Sequence, residues 1–251
     1  MEAELEVPAP PERRIALEGS VNFRDVGGYP AQDGRETRWR TLFRADGLHK
    51  LTEADLELVQ ALDLRTVVDL RSAFELETGR FPVERIPVDF HHVAIIEVVR
   101  DKEAFKVAPG MMGQEYLRML EEGASQIGRA VSLLAQPDAL PAVVHCTAGK
   151  DRTGMVTAVV LGLLGVPHDV IVADYARSAE AMADLRAQLI ARYPEGRDVI
   201  ENSDELFAAQ PAYMENLLAT IEARFGSVAA FAAQAGVGED EVAALRQALL
   251  V

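Results

Sequence analysis

The sequence predicts an α/β domain with a largely parallel sheet flanked by helices and a helical C-terminal part. Three observations predict it. Short apolar runs alternate with longer helical patterns through the first two-thirds of the chain. One of those runs, Pro141-Ala-Val-Val-His145, is apolar enough for a central parallel strand and leads through a short loop into an apolar helix. From Asp169 to Val251 the pattern is helical almost throughout, with breaks around Pro194-Glu-Gly196, Pro211, Gly226 and Gly236.

In chain order, residues 1–18 form a Pro- and Glu-rich lead-in, and residues 19–251 read as one domain without a long linker or internal repeat. Thr52 to Leu62 is a predicted helix: Thr52 caps it, Asp55 follows three residues on, and Leu56, Val59 and Leu62 share a face. Leu64 to Leu70 reads as a buried strand and Ile86 to Val93 as another. Gln114 to Leu134 has helical period, and so has the Val- and Ala-rich segment after Thr153, which ends near Gly165 with Pro167 beyond.

Of the 251 residues 49% are apolar, ample for a core. The formal net charge of −15 argues against a nucleic-acid partner and against adhesion to anionic membranes. Any site for a phosphorylated substrate must therefore make its positive field locally. One cysteine cannot form an intramolecular disulfide, so a reducing compartment is expected. The acidic N-terminal run lacks the order of a signal peptide, and the apolar stretch Gly154 to Val166 falls short of the roughly 20 residues a membrane span needs. The expectation is a cytoplasmic protein without stable membrane insertion.

The stretch His145-Cys-Thr-Ala-Gly-Lys-Asp-Arg-Thr-Gly154 lies between the apolar strand and the apolar helix. Five residues separate Cys146 from Arg152, enough for the backbone of Thr147, Ala148, Gly149 and Lys150 to curl into a cup whose N–H groups point inward. The helix N-terminus behind it favours an anion, and the planar fork of Arg152 suits two phosphoryl oxygens. A thiol so placed ionises more readily, so Cys146 is expected to attack phosphorus as a thiolate and form a thiophosphate ester. Thr153 is positioned in sequence to hydrogen-bond the sulfur, and His145 to shape the loop rather than act as a base.

A single buried cysteine is more often an inert small hydrophobe. Here the spacing to Arg152 between a strand and a helix reverses that expectation. A nucleotide-binding loop is excluded because Lys150 is followed by Asp151 rather than Ser or Thr and no glycine stands five residues before Gly149. Rhodanese-type loops are one residue shorter. No Cys/His spacing accompanies Cys146 for zinc, and the proposed chemistry needs neither metal nor other cofactor.

The run His145 to Gly154 resembles the signature of the Cys-x5-Arg phosphatases. Val21-Asn-Phe-Arg-Asp-Val-Gly-Gly-Tyr29, Leu42-Phe-Arg44, Val68-Asp-Leu-Arg-Ser72 and Asp169-Val-Ile-Val-Ala-Asp-Tyr175 narrow the resemblance to the bacterial tyrosine phosphatases, from about Gly19 to the C-terminus. The resemblance implies a phosphotyrosine-phosphatase-like sheet, a helical lid at 176–210, and action on phosphotyrosyl proteins, with dual specificity or phosphoinositide hydrolysis as extensions. The stretch between His92 and Gln114 is shorter than in the family's mycobacterial member.

Leaving-group protonation requires a general acid. Asp151, inside the loop, is favoured; Asp69, at the end of a strand, is the other candidate, read as a positioning group. The resemblance places functional aspartates at both. Either can instead be a structural partner, Asp151 of Lys150 or Arg152 and Asp69 of Arg71. Lys150 is either a second cation for substrates with several phosphates or a solvated partner of Asp151. Arg24, Asp25, Arg44 and Arg71 either line the pocket or form ion pairs. A lipid phosphatase, a silent phosphate-binding module and a redox sensor are the rival functions; the module is disfavoured because Cys146 and Arg152 are both present, and the sensor because there is no second cysteine.

Overall fold

The computed structural model describes residues 12–97 and 111–251. Its centre is a five-stranded sheet made of β1 (Arg24–Asp25), β2 (Leu42–Ala45), β3 (Thr66–Asp69), β4 (Asp89–His92) and β5 (Ala142–His145), ordered β1-β2-β5-β3-β4. Only β1 runs antiparallel to its neighbour; the β2–β5, β5–β3 and β3–β4 pairs are parallel. The Pro141–His145 run is therefore the central strand, as its apolar character predicts. Alternation sorts side chains onto two faces. Leu42, Val68 and Val144 join the larger core, while Phe43, Val67 and Val143 join the smaller one.

The smaller core is closed by α1 (Glu53–Gln60), whose capping box between Thr52 and Asp55 is formed as expected. A short helix, α2 (Ala73–Leu76), follows β3. The helix expected over Gln114–Leu134 is instead two, α3 (Met111–Glu122) and α4 (Ala124–Leu134). The break falls at Gly123, where a Cβ would come within 2.5 Å of the Met119 carbonyl and 2.8 Å of Ile95. The chain through Ile95 thus presses on a point that only a residue without a side chain can occupy.

Helix α5 (Asp151–Leu164) begins two residues before Thr153, inside the loop itself, and ends at left-handed Gly165. It is buried along most of its length under α4, α6 (His168–Ala176), α10 (Val228–Gln234) and α11 (Glu239–Leu249), with α9 (Pro211–Phe225) outside α6. Between α6 and α9 come α7 (Ala179–Arg192), a 3₁₀ turn at Pro194–Gly196 and α8 (Arg197–Glu201). This expected lid segment has its own apolar cluster of Ala181, Met182, Leu185, Ile200 and Phe207, against which Ala148 of the loop packs. Of the lead-in, residues 12–18 run beside β1, with Ile15 donating to the Phe23 carbonyl at 3.1 Å. Residues 1–11 lie outside the described residues, as does most of the shortened stretch between His92 and Gln114. No helix among the described residues is long and apolar enough to cross a membrane.

Candidate active site

Three parallel strands end side by side, with Ala45 and Asp69 both in register with His145. Cys146 leaves the middle strand at this carboxyl edge, where open α/β sheets gather their ligands. The loop after it is held by its carbonyls. Gly47 N donates to Thr147 O at 3.3 Å, Asn22 Nδ2 to Ala148 O at 2.9 Å, and Arg44 Nη2 to Gly149 O and Lys150 O at 2.8 and 3.3 Å. Among the described residues, no hydrogen bond takes up the N–H groups of Thr147 to Arg152. With the carbonyls bound outward and the donors free, the loop is a nest for an anion at the start of α5. Gly149 makes this possible: its φ is +64°, and a Cβ there would sit 2.5 Å from the Ala45 carbonyl.

Arg152 stands over this loop in a fork with Glu75, its Nη1 and Nη2 donating to Oε2 and Oε1 at 2.5 and 2.7 Å. Thr147 Oγ1 also donates to Glu75. The same carboxylate accepts from Ser72 N and Oγ at 2.8 and 2.9 Å, closing the capping box of α2. Burial alone would raise the Glu75 pKa; its bonds and charge interaction with Arg152 outweigh burial and hold it at about 2. Burial likewise opposes the charge on Arg152, and Glu75 outweighs it in the upward direction.

A depressed carboxylate pKa gives stability that is full above the unfolded value and lost as pH falls through the folded one. The Glu75 contribution should therefore disappear between its ordinary value of 4.5 and about 2. Thermal melts of wild type and Glu75→Gln over that interval check this: the wild type is expected to lose more stability than the variant.

Asp69 is fully buried and grips Arg71, whose Nε and Nη2 donate to it at 2.9 and 2.6 Å. The His145 Nε2 lies 3.5 Å from its Oδ2. Burial opposes ionisation of Asp69, but His145 and Arg71 outweigh it and keep its pKa low. A carboxylate committed in this way to Arg71 and His145 has the geometry of the positioning reading. Arg71 continues to the Gly79 carbonyl at 2.8 Å. His145 is buried, which lowers its pKa, and its Nδ1 faces the Cys146 carbonyl at 3.4 Å.

Arg24 and Arg44 converge on Asp174 of α6, fully enclosed with them. Tyr29 Oη donates to Asp174 at 2.8 Å, and Arg24 reaches Ser178 Oγ at 3.1 Å. Burial raises the Asp174 pKa, but Arg44 and then Arg24 drive it far down. Asp25 accepts from Gly27 N and Arg40 N, both at 2.7 Å. Of the two readings for Arg24, Arg44 and Arg71, the structure brings about the ion pairs. Arg44 supports the loop from behind, and all three side chains are enclosed.

Lys150 keeps the expected contact with Asp151 but not the expected solvation. It is wholly buried, and its Nζ donates to the carbonyls of Leu206 and Ala208 at 2.7 and 2.9 Å, with Asp151 Oδ1 at 3.5 Å. It is neither a solvated surface lysine nor a second cation in the cup. Its sequence neighbours could not reveal this, since its partners lie 56 and 58 residues away.

Asp151 is the first residue of α5 and remains partly open, its side chain 19% exposed. Tyr116 Oη lies 2.8 Å from its Oδ1. Cys146 and Thr153 are buried, and the Thr153 hydroxyl has no hydrogen-bond partner among the described residues, the expected bond to sulfur included. Among the described residues no group of three or more His, Cys, Asp or Glu could hold a metal ion.

The tyrosine phosphatase family matches residues 15–251, nearly the whole chain. The chain belongs to that family. As a tyrosine phosphatase it is a hydrolase, and its relatives agree. The triple specificity protein phosphatase PtpB of Mycobacterium tuberculosis is 30% identical over 93% of this chain and 98% of its own length. A tyrosine-protein phosphatase of Nostoc commune is 27% identical over 81% of this chain and 72% of its own. Among solved structures, the Siw14 catalytic core aligns with 82% of this chain and 95% of its own at 15% identity and a TM-score of 0.41.

Sequence reasoning missed three residues of this phosphatase site: Glu75, Tyr116 and Asp174. Glu75 carried a signal, the Ser72-x-x-Glu75 capping pattern just beyond a strand that ends in the sheet's ligand edge. Asp174 stood inside a quoted family segment without a role. Tyr116 had no local signal at all.

Proposed function

We propose that this phosphatase hydrolyses phosphotyrosyl proteins through a phosphocysteine on Cys146. The free N–H groups of the loop receive the phosphoryl oxygens, joined by the N–H groups of Arg152 that its fork with Glu75 leaves over. The Cys146 thiolate forms the S–P bond as the ester P–O bond breaks, and the departing electron pair takes the proton of Asp151. Water then attacks phosphorus, Asp151 accepts its proton, and sulfur leaves as thiolate. The unpartnered Thr153 hydroxyl is available to stabilise that sulfur. A reducing compartment such as the cytoplasm suits a reaction that depends on one unprotected thiol.

The observation that carries this reading is the loop itself: outward carbonyls, free donors, and an arginine already binding a carboxylate bidentately. That carboxylate has the planar, anionic character of two phosphoryl oxygens. The triple specificity by which the relative PtpB is known supports activity beyond phosphotyrosine. The phosphoinositide alternative loses some support here, because the second cation it relies on, Lys150, is bound to backbone carbonyls.

Turnover of phosphotyrosyl peptide, phosphoseryl peptide and phosphoinositide by the same preparation tests the substrate class, with phosphotyrosine expected to be fastest. The acid is tested with aryl phosphates of graded leaving group. Asp151→Asn is expected to lose about 10²–10³-fold on poor leaving groups and less than about 10-fold on good ones. Equal losses on both would overturn the assignment.

A further inference from the structure

Tyr116 and Tyr175 are unexplained by fold alone. Both are buried, from α3 and α6, and their hydroxyls meet 2.7 Å apart beside Asp151. Buried phenols need hydrogen-bond partners for their hydroxyls. Here they face the one partly exposed carboxylate of the phosphate loop. Their rings meet edge to face at 6.3 Å and 85°, and Tyr213 packs on Tyr116 at 6.1 Å. Gly154, in the loop motif, lets Tyr175 come close to α5: a Cβ there would lie 3.0 Å from the ring.

We propose that Tyr175 and Tyr116 form a hydroxyl relay that fixes the Asp151 carboxyl in the orientation needed to protonate the leaving group, making Tyr116 a positioning residue of the reaction. This rests on Asp151 being the general acid.

The direction of the relay follows from counting hydrogens. Tyr116 has one hydroxyl hydrogen and two oxygen neighbours. Asp151 Oδ1, ionised or bearing its proton on the other oxygen, can only accept. Tyr116 therefore donates to Asp151, and Tyr175 must donate to Tyr116. Burial first, and the neighbouring Asp151 charge second, raise the pKa values of both phenols, so both keep the hydrogens the relay needs.

The consequence for Asp151 is an asymmetry between its oxygens. Oδ1 is fixed by Tyr116 at 2.8 Å and lies 3.5 Å from Lys150 Nζ. Oδ2 has no protein partner among the described residues. A carboxyl with one oxygen clamped and one free carries its transferable proton on the free oxygen. The side chain loses the rotamer freedom that would otherwise oppose proton transfer. Three rigid rings hold the clamp, so a missing hydroxyl is felt at Asp151 more than at the fold.

The test compares Tyr116→Phe, Asp151→Asn and the double variant on aryl phosphates of graded leaving group, with thermal melts as a check on folding. Tyr116→Phe is expected to lower kcat about 5–30-fold on poor leaving groups and less than about 3-fold on good ones, and to leave KM nearly unchanged. In the Asp151→Asn background the second substitution should add less than about 2-fold, because coupled residues are non-additive. Tyr175→Phe, two bonds away from the acid, should show the same pattern in weaker form and serves if Tyr116→Phe is unstable. A uniform loss across leaving groups, or losses that multiply in the double variant, would overturn the relay and leave Asp151 as the acid. An Asp151→Asn variant without a leaving-group-dependent loss would remove the acid and the relay together.

Discussion

Cys146→Ser is expected to reduce turnover by at least about 10⁴-fold while leaving substrate binding nearly intact. A serine hydroxyl needs a base to become a nucleophile, and Asp151, which carries its proton as the acid of this step, cannot serve as one. His145, which precedes Cys146 in the chain, turns Nδ1 to the Cys146 carbonyl and Nε2 towards Asp69, and burial disfavours its charged form. Every phosphate-holding group remains in the variant: the free loop donors, the Arg152 fork and the dipole of α5. Equilibrium binding of a phosphotyrosyl peptide to Cys146→Ser, beside steady-state kinetics, separates the two effects. Binding within about 3-fold of wild type together with absent turnover is the expected pair of results. Turnover that survives in the variant would remove the covalent step.

The largest effect on stability is expected from Asp174→Ala, about 3–5 kcal/mol by chemical denaturation. Two guanidinium groups would lose the one carboxylate that balances them in a site closed to water. Arg24 already has its pKa lowered to about 10, by burial first and by Arg44 second, and only Asp174 and Tyr29 oppose that. Folded domains hold together by about 5–15 kcal/mol, so such a loss is a large share of the whole. It should also be visible at the site. Arg44 Nη2 holds the Gly149 and Lys150 carbonyls outward, so its release loosens the cup from behind. Weaker binding of inorganic phosphate to the folded fraction of Asp174→Ala is the accompanying expectation.

The central features were legible because they are local. Cys146, Gly149 and Arg152 lie within one short loop, and backbone geometry relates their spacing directly to a cup. The β5 run was legible because a strand covered on both faces must be apolar throughout. Strands β1 and β2 were not, since each carries an arginine that ordinary reading places in water. Their burial depends on Asp174, 150 residues beyond Arg24 and 130 beyond Arg44. Glu75 and Tyr116 reach Arg152 and Asp151 across 77 and 35 residues, distances at which sequence pattern says nothing about contact. Lys150 shows the same limit most clearly. Beside Gly149 it looks like a ligand for phosphate, and only the returning chain at Leu206 and Ala208 gives it a different task.

That bond has a mechanical consequence. The helical segment over the cup is moored at both ends, by Arg24 on Ser178 before it and by Lys150 on Leu206 and Ala208 after it. Between these moorings the segment's apolar cluster packs on Ala148, so a change in its packing is felt by the cup itself.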